Sequence, residues 1–92
     1  YFENGGAPEM YCASADWMER NFFRRVEVAF PIQRETHRER ILRDLETYLR
    51  DNCQSWQLGN DGVYTRVAHG EPALHAQNDL LARYSAGSVL AP

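Results

Sequence analysis

The chain has 92 residues, 43% of them hydrophobic and 25% charged, which is about one domain of globular sequence and excludes a disordered chain. No run of about 18 apolar residues occurs, and residues 1 to 15 lack the basic start and apolar block of a signal peptide, so neither a membrane span nor a secretory leader is expected. The lack of both suggests a cytoplasmic setting, and the net charge of -3, from 10 basic and 13 acidic side chains, argues against a general nucleic-acid binder.

All ten basic residues are arginine. Codon bias accounts for such a skew, but the planar five-donor guanidinium is also the better group for gripping phosphate oxygens in pairs. Eight of the ten lie between Arg20 and Arg50, interleaved with seven acids from Asp16 to Glu46, so an anion site has to be a local cluster. Cys12 and Cys53 are too few for a disulfide scaffold and read as reduced thiols.

Residues 1 to 8 begin as a strand end and break at Asn4-Gly5-Gly6, a sequence that supplies the positive backbone angles of a tight turn. A chain opening in mid-strand is expected to be a piece of a longer protein. Glu9 to Ser14 suits a short strand, paired as a hairpin with the one before the turn. Asp16 is placed to cap a helical turn through Trp17 to Asn21. From Arg24 to Phe30 the pattern alternates, which predicts a strand with Val26, Val28 and Phe30 facing a core and Arg25 and Glu27 facing away, ended by Pro31.

Ile41, Leu42, Leu45, Tyr48 and Leu49 form one apolar stripe on a helix from about Gln33 to Asp51, with Thr36 and Glu39 at capping-box spacing for an inner start. Ser55 to Leu58 and Val63 to Val67, joined through Asp61-Gly62, read as a hairpin. Ala73 to Tyr84 forms a weaker second helix, and Ser85 to Pro92 a loose end. The fold class expected is mixed α/β (α+β), a sheet covered by helices with a late hairpin. A chain this small buries roughly 60 to 65% of its unfolded surface, so folding alone is marginal.

The densest chemistry lies in Ser14, Asp16, Arg20, Asn21, Arg24, Arg25 and Glu27. A strand ending in a hydroxyl, then a helical turn with free amides and arginines nearby, suits phosphate. The same residues suit a structural role in which Ser14 and Asp16 cap a turn and Arg25 pairs with Glu27. His37, His69 and His75 have no partners at metal or nucleophile spacing. The arginines and acids of the long helix read as its solvated face. Trp56, Leu58, Val63 and Tyr64 make the late hairpin a candidate docking surface.

Three runs carry a resemblance: Phe2-Glu3-Asn4-Gly5-Gly6, then Ser14-Ala15-Asp16-Trp17-Met18-x-Arg20-Asn21, then Arg25-Val26-Glu27-Val28-x-Phe30-Pro31-Ile32. In order and spacing they resemble the C-terminal domain of the bacterial polyphosphate kinase family. The likeness covers about residues 1 to 67, and residues 68 to 92 resemble the family's variable tail only loosely. It implies a portion of a phospholipase-D-like domain, with residues 1–32 as strands and the Ser-Ala-Asp-Trp turn, 33–52 as the helix, 53–67 as the hairpin and 68–92 as the tail.

The function implied is reversible transfer of the terminal phosphate of ATP to inorganic polyphosphate through a phosphohistidine, with magnesium held outside this chain. ATP or ADP, polyphosphate, the upstream domains of the same chain and further copies in a homo-oligomer are the implied partners, in the cytoplasm or peripheral at the inner membrane face. The resemblance places Glu3 at the superfamily's acidic position, Ser14 and Asp16 at its second element, and Arg25 at a phosphate-contacting arginine, with Arg20 and Asn21 beside it. The family histidines would lie before Tyr1, so no catalytic residue is expected within the chain. Two departures stand out: Ala13 replaces a serine, leaving no hydroxyl there, and Gln33-Arg34 replaces an Asp-Pro that opens the long helix. Alternatives from other classes are a non-catalytic packing or oligomerisation module and a phospholipase-D-like phosphodiesterase fragment, which would need its own histidine.

Overall fold

A computed structural model describes residues 1–85. The chain forms two compact units, residues 1–40 and residues from 41 onward. The class is the mixed α/β one expected, with strands in two antiparallel two-stranded sheets accompanied by helices. The loose end expected over residues 86–92 lies outside the described residues.

In the first unit, a 3₁₀ turn at Asn4–Gly6 takes positive φ at all three residues (48°, 63° and 93°), the left-handed conformation that glycine adopts without penalty. The pairing across it is one antiparallel bridge, Phe2 to Glu9, and not the hairpin expected there. The following strand, β1 (Tyr11–Ala13), pairs with β2 (Ala29–Pro31) in the register Tyr11 to Pro31, Cys12 to Phe30 and Ala13 to Ala29. Backbone bonds Ile32 N–H to Met10 O (2.8 Å) and Ser14 N–H to Val28 O (2.9 Å) extend the ladder. Pro31 sits where no donor is needed, since each strand of a two-stranded sheet has one free edge.

The strand expected over Arg24 to Phe30 is therefore only its last part. The chain bends at Arg24 and Arg25, and β1 offers too short a partner to pair residues before Val28. Val26 is 98% exposed and Val28 and Phe30 are also exposed, so the predicted inward face has nothing in this unit to cover it. Helix α1 spans Glu19–Phe23, two residues later than expected. Met18, extended at φ -126° and ψ 148°, is its N-cap residue, and no side chain caps it. Asp16 supplies its backbone carbonyl to the Met18 N–H (2.8 Å), and its side chain does not take the predicted capping role.

Helix α2 spans Glu35–Arg50, inside the predicted limits. Before its first turn the Arg38 guanidinium donates to the carbonyls of Ile32 (3.3 Å) and Gln33 (2.8 Å), fixing the chain as it enters the helix. Ile41 and Leu42 are half-buried, whereas Leu45, Tyr48 and Leu49 are exposed and Thr47 is the fully buried residue. The leucine stripe thus does not form a core among the described residues.

In the second unit, β3 (Trp56–Leu58) and β4 (Tyr64–Arg66) form the predicted hairpin, in the register Trp56 to Arg66, Gln57 to Thr65 and Leu58 to Tyr64. Gly62 takes φ 81° in its loop, and the Asp61 carboxylate accepts from the Val63 N–H (3.0 Å). Helix α3 (Ala76–Ser85) starts three residues after the predicted Ala73. Asp51 and Asn52 set that start. Asp51 Oδ2 accepts from Ala76 N–H (2.8 Å), and Asn52 Oδ1 accepts from Leu74 N–H (2.7 Å) while its Nδ2 donates to Pro72 O (3.1 Å).

Candidate functional site

Ser14, at the end of β1, crosses to the segment that leads into β2. Its hydroxyl donates to the Glu27 carboxylate (Oγ to Oε2, 2.6 Å) and accepts from the Val28 N–H (3.0 Å). A charge-assisted bond of this length is among the stronger ones a hydroxyl makes. It engages the only acid within two residues of Arg25, and the Arg25–Glu27 pair weighed from the sequence does not form.

Arg25 lies in the bend between α1 and β2, exposed, and not on the rim of a core-facing strand as the alternation suggested. Arg20 and Arg24 are one helical turn apart, at the first turn and the C-cap of α1, and line a shallow depression of about 360 Å³ with Met18 and Glu19. None of these three guanidinium groups bonds to a described residue. By contrast, Arg38 and Arg66 hold backbone carbonyls, and Arg83 bridges Asp44 and Asp79. Three guanidinium groups without a partner among the described residues thus lie within six residues of sequence. Arg24 was part of the cluster read from the sequence, and its i, i+4 spacing from Arg20 is the signal that the two share a helix face.

The remaining predicted site residues differ in character. Asn21 is 3% exposed and its Nδ2 has no hydrogen-bond partner among the described residues. An unsatisfied buried amide costs roughly 1 to 3 kcal/mol, so Asn21 holds its place within the first unit at some expense. Asp16 and Glu3 are exposed, and Glu3 accepts from the Tyr1 hydroxyl (2.7 Å), a bond that raises the phenol's pKa. Trp17 packs edge-on against Phe22, with ring centroids 5.7 Å apart.

Magnesium has no fitting donor set here. Among the described residues no group of three or more His, Cys, Asp or Glu side chains stands together, and Glu27 is held by Ser14. His37 and His69 are exposed, and His75 Nδ1 accepts from the Asn78 N–H (3.3 Å), so His75 is engaged at the start of α3. Among the described residues no helix is long and apolar enough to cross a membrane.

The structure is a mixed α/β piece that carries, on a short helix and its following bend, arginines bonded to no described residue. Comparison with known proteins gives the family. A sequence model of polyphosphate kinase C-terminal domain 2 matches residues 1–77, and the chain belongs to the polyphosphate kinase family. It is 53% identical over 68 residues to the polyphosphate kinase of Xylella fastidiosa (strain Temecula1 / ATCC 700964), which covers 73% of this chain and 10% of that protein. It is 47% identical over 85 residues to that of Burkholderia cenocepacia (strain HI2424), covering 91% of this chain and 12% of the relative.

The crystal structure of polyphosphate kinase from Porphyromonas gingivalis superposes with a TM-score of 0.82 at 33% identity, over 91% of this chain and 13% of that one. The chain therefore spans about a tenth of the length of the relatives it matches and corresponds to part of their C-terminal region. The likeness agrees with the expectation of a phospholipase-D-like domain fragment.

Proposed function

We propose that this segment is part of an enzyme that reversibly transfers the terminal phosphate of ATP to inorganic polyphosphate through a phosphohistidine outside residues 1–92. Its own contribution is support of the phosphate or nucleotide site. The observation that carries this reading is the set of uncommitted guanidinium groups at Arg20, Arg24 and Arg25, in a chain whose relatives are named polyphosphate kinases. Arg25 is the contact to phosphate oxygens, and Arg20 extends the same positive surface. Ser14 acts indirectly: by holding Glu27 it keeps a carboxylate off Arg25. Asn21 and Asp16 shape the segment that carries Arg20.

Magnesium, held outside residues 1–92 on this reading, would supply charge neutralisation; this chain's residues contribute cations that orient and hold the transferring group. The reading includes a homo-oligomeric enzyme, cytoplasmic or peripheral at the inner membrane face.

The test is Arg25→Ala in the full-length enzyme. Loss of one charged contact to the migrating phosphate should lower kcat by about 10²- to 10³-fold. Turnover within a few-fold of wild type refutes the assignment. A second reading, a packing module without chemistry of its own, is favoured by the exposed aromatic residues of the β3–β4 hairpin. It predicts that Arg25→Ala leaves turnover unchanged.

A further inference from the structure

Met18, Glu19, Arg20 and Arg24 line the depression of about 360 Å³ beside α1, and Arg25, the next residue in sequence, lies outside it. The backbone sets this geometry. The Arg24 N–H closes the last turn of α1 on the Arg20 carbonyl (3.2 Å), which puts the two side chains on neighbouring turns of one face. Both guanidinium groups are exposed, and neither they nor the Glu19 carboxylate bond to a described residue. Like charges one turn apart destabilise a helix, and this helix has only five residues. By contrast Arg38, Arg50, Arg66 and Arg83 each hold a carbonyl or a carboxylate. From Met18 to Arg25 three arginines stand against one acid, in a chain whose net charge is -3. An anion seated between Arg20 and Arg24 accounts for a pair that otherwise costs the helix stability and holds nothing.

We propose that this depression seats a phosphate of the polyphosphate chain other than the one transferred, so that Arg20 and Arg24 set how affinity depends on chain length. The inference deepens the phosphate-site reading above and rests on it: Arg25 meets the migrating group, and the depression is a second station next to it in sequence. The arrangement selects the ligand. A lone phosphate in the depression meets two arginines but also Glu19, at an exposed surface where salt screens each contact. A chain already held at Arg25 brings its next units to the depression at an effective concentration on the order of millimolar. Each unit carries negative charge, so a weak second contact adds to the first. A nucleotide ends in a sugar and base after its few phosphates and gains less from a station beyond Arg25, which makes the depression a site for the polymer and not for ADP.

Steady-state kinetics of the full-length kinase, consuming polyphosphate fractions of graded length with ADP, test it. Arg24→Gln should raise KM for the longest chains about tenfold, the loss of one charge-assisted contact, with the ratio to wild type falling towards one for the shortest. The effect should lie in KM for the polymer and not in KM for ADP. The slope of log KM for long chains against log salt should become shallower by about one, and Arg24→Lys, which keeps the charge, should recover most of the affinity. A ratio that is the same at every length, or an equal rise in KM for ADP, would overturn the inference. Modification of the wild-type kinase by phenylglyoxal, mapped by mass spectrometry, decides it without a variant: Arg20 and Arg24 should react in the free enzyme and be shielded by long polyphosphate but not by ADP. Arginines that do not react in the free enzyme are engaged elsewhere in the kinase, and the inference fails. Arg25→Ala separates the two levels. Turnover retained there removes the phosphate-site reading and this inference with it, whereas turnover lost there, with no length dependence in Arg24→Gln, removes the inference alone.

Discussion

At the scale of single residues, one hydroxyl engages the acid nearest an arginine in sequence. Ser14 Oγ is bonded to Glu27 Oε2 at 2.6 Å, and on the proposed reading this leaves the Arg25 guanidinium open to a phosphate. Removing the hydroxyl in Ser14→Ala costs about 0.5 to 1.5 kcal/mol of stability, the net worth of a typical hydrogen bond. It also releases Glu27 to neutralise Arg25, so the apparent affinity of the full-length enzyme for polyphosphate should fall. Adding Glu27→Gln should restore most of that affinity without restoring stability, a non-additivity that a double-mutant cycle of KM and unfolding midpoint measures. Equal losses in the single and double mutants would show that Glu27 does not compete for Arg25. The sequence placed Ser14, Arg25 and Glu27 in one cluster but left their pairing open. An arginine two residues from an acid and a serine thirteen residues away are equally permissible partners until a strand register exists, and the register came from the pairing of Cys12 with Phe30.

At the scale of elements, the helices were legible and their burial was not. The stripe from Ile41 to Leu49 marked α2 correctly because helical periodicity survives whatever covers the face. Thr47, off that stripe, is the residue fully buried. Its hydroxyl donates to the Arg43 carbonyl (2.9 Å) and accepts from Arg83 Nη2 (3.1 Å), while Asp44 takes the Tyr84 hydroxyl on both oxygens (2.5 and 2.6 Å). A polar link of this kind between α2 and α3 has no hydrophobic signature. Thr47→Val, close in volume, should lower unfolding stability by about 1 kcal/mol with an unchanged denaturant slope.

The end of α2 is also acid-sensitive. Asp51 accepts from the backbone of Gln54, Ala76 and Cys53, and these bonds hold its pKa down to about 2. A depressed carboxylate pKa stabilises the fold above its unfolded value of 3.8, and that contribution is lost as the pH falls from there towards 2. Amide exchange at Cys53, Gln54 and Ala76 should therefore accelerate over this window in wild type and show no such step in Asp51→Asn.

At the scale of the whole molecule, the exposure of Phe23, Val26, Leu49 and Trp56 separates what sequence periodicity can tell from what it cannot. Alternation identifies the side of a strand or helix that is to be covered, without saying whether the cover lies within the same 92 residues. The isolated chain should accordingly show no polyphosphate synthesis from ATP. His37 and His69 are exposed, and His75 is engaged by Asn78, so no imidazole among them is oriented as a nucleophile. Synthesis by the purified chain that is abolished by His37→Ala would place a catalytic histidine inside it.

The paired bonds of Asp51 and Asn52 to residues 72–76 have a consequence for how this part of the chain tolerates change in length. They cinch the two ends of the stretch from Cys53 to Leu74, so the hairpin is an outgrowth with a closed neck. Because the neck is fixed by side chains outside the outgrowth, adding or removing residues at the Gly59–Gly62 tip changes only the entropy of a loop already tied off. Doubling such a loop costs only about 0.6 kcal/mol. Insertions at the tip should leave the α2–α3 bonds and their exchange protection intact. Asp51→Ala combined with Asn52→Ala, by removing the side-chain bonds of the neck, should couple the hairpin's length to the stability of both helices.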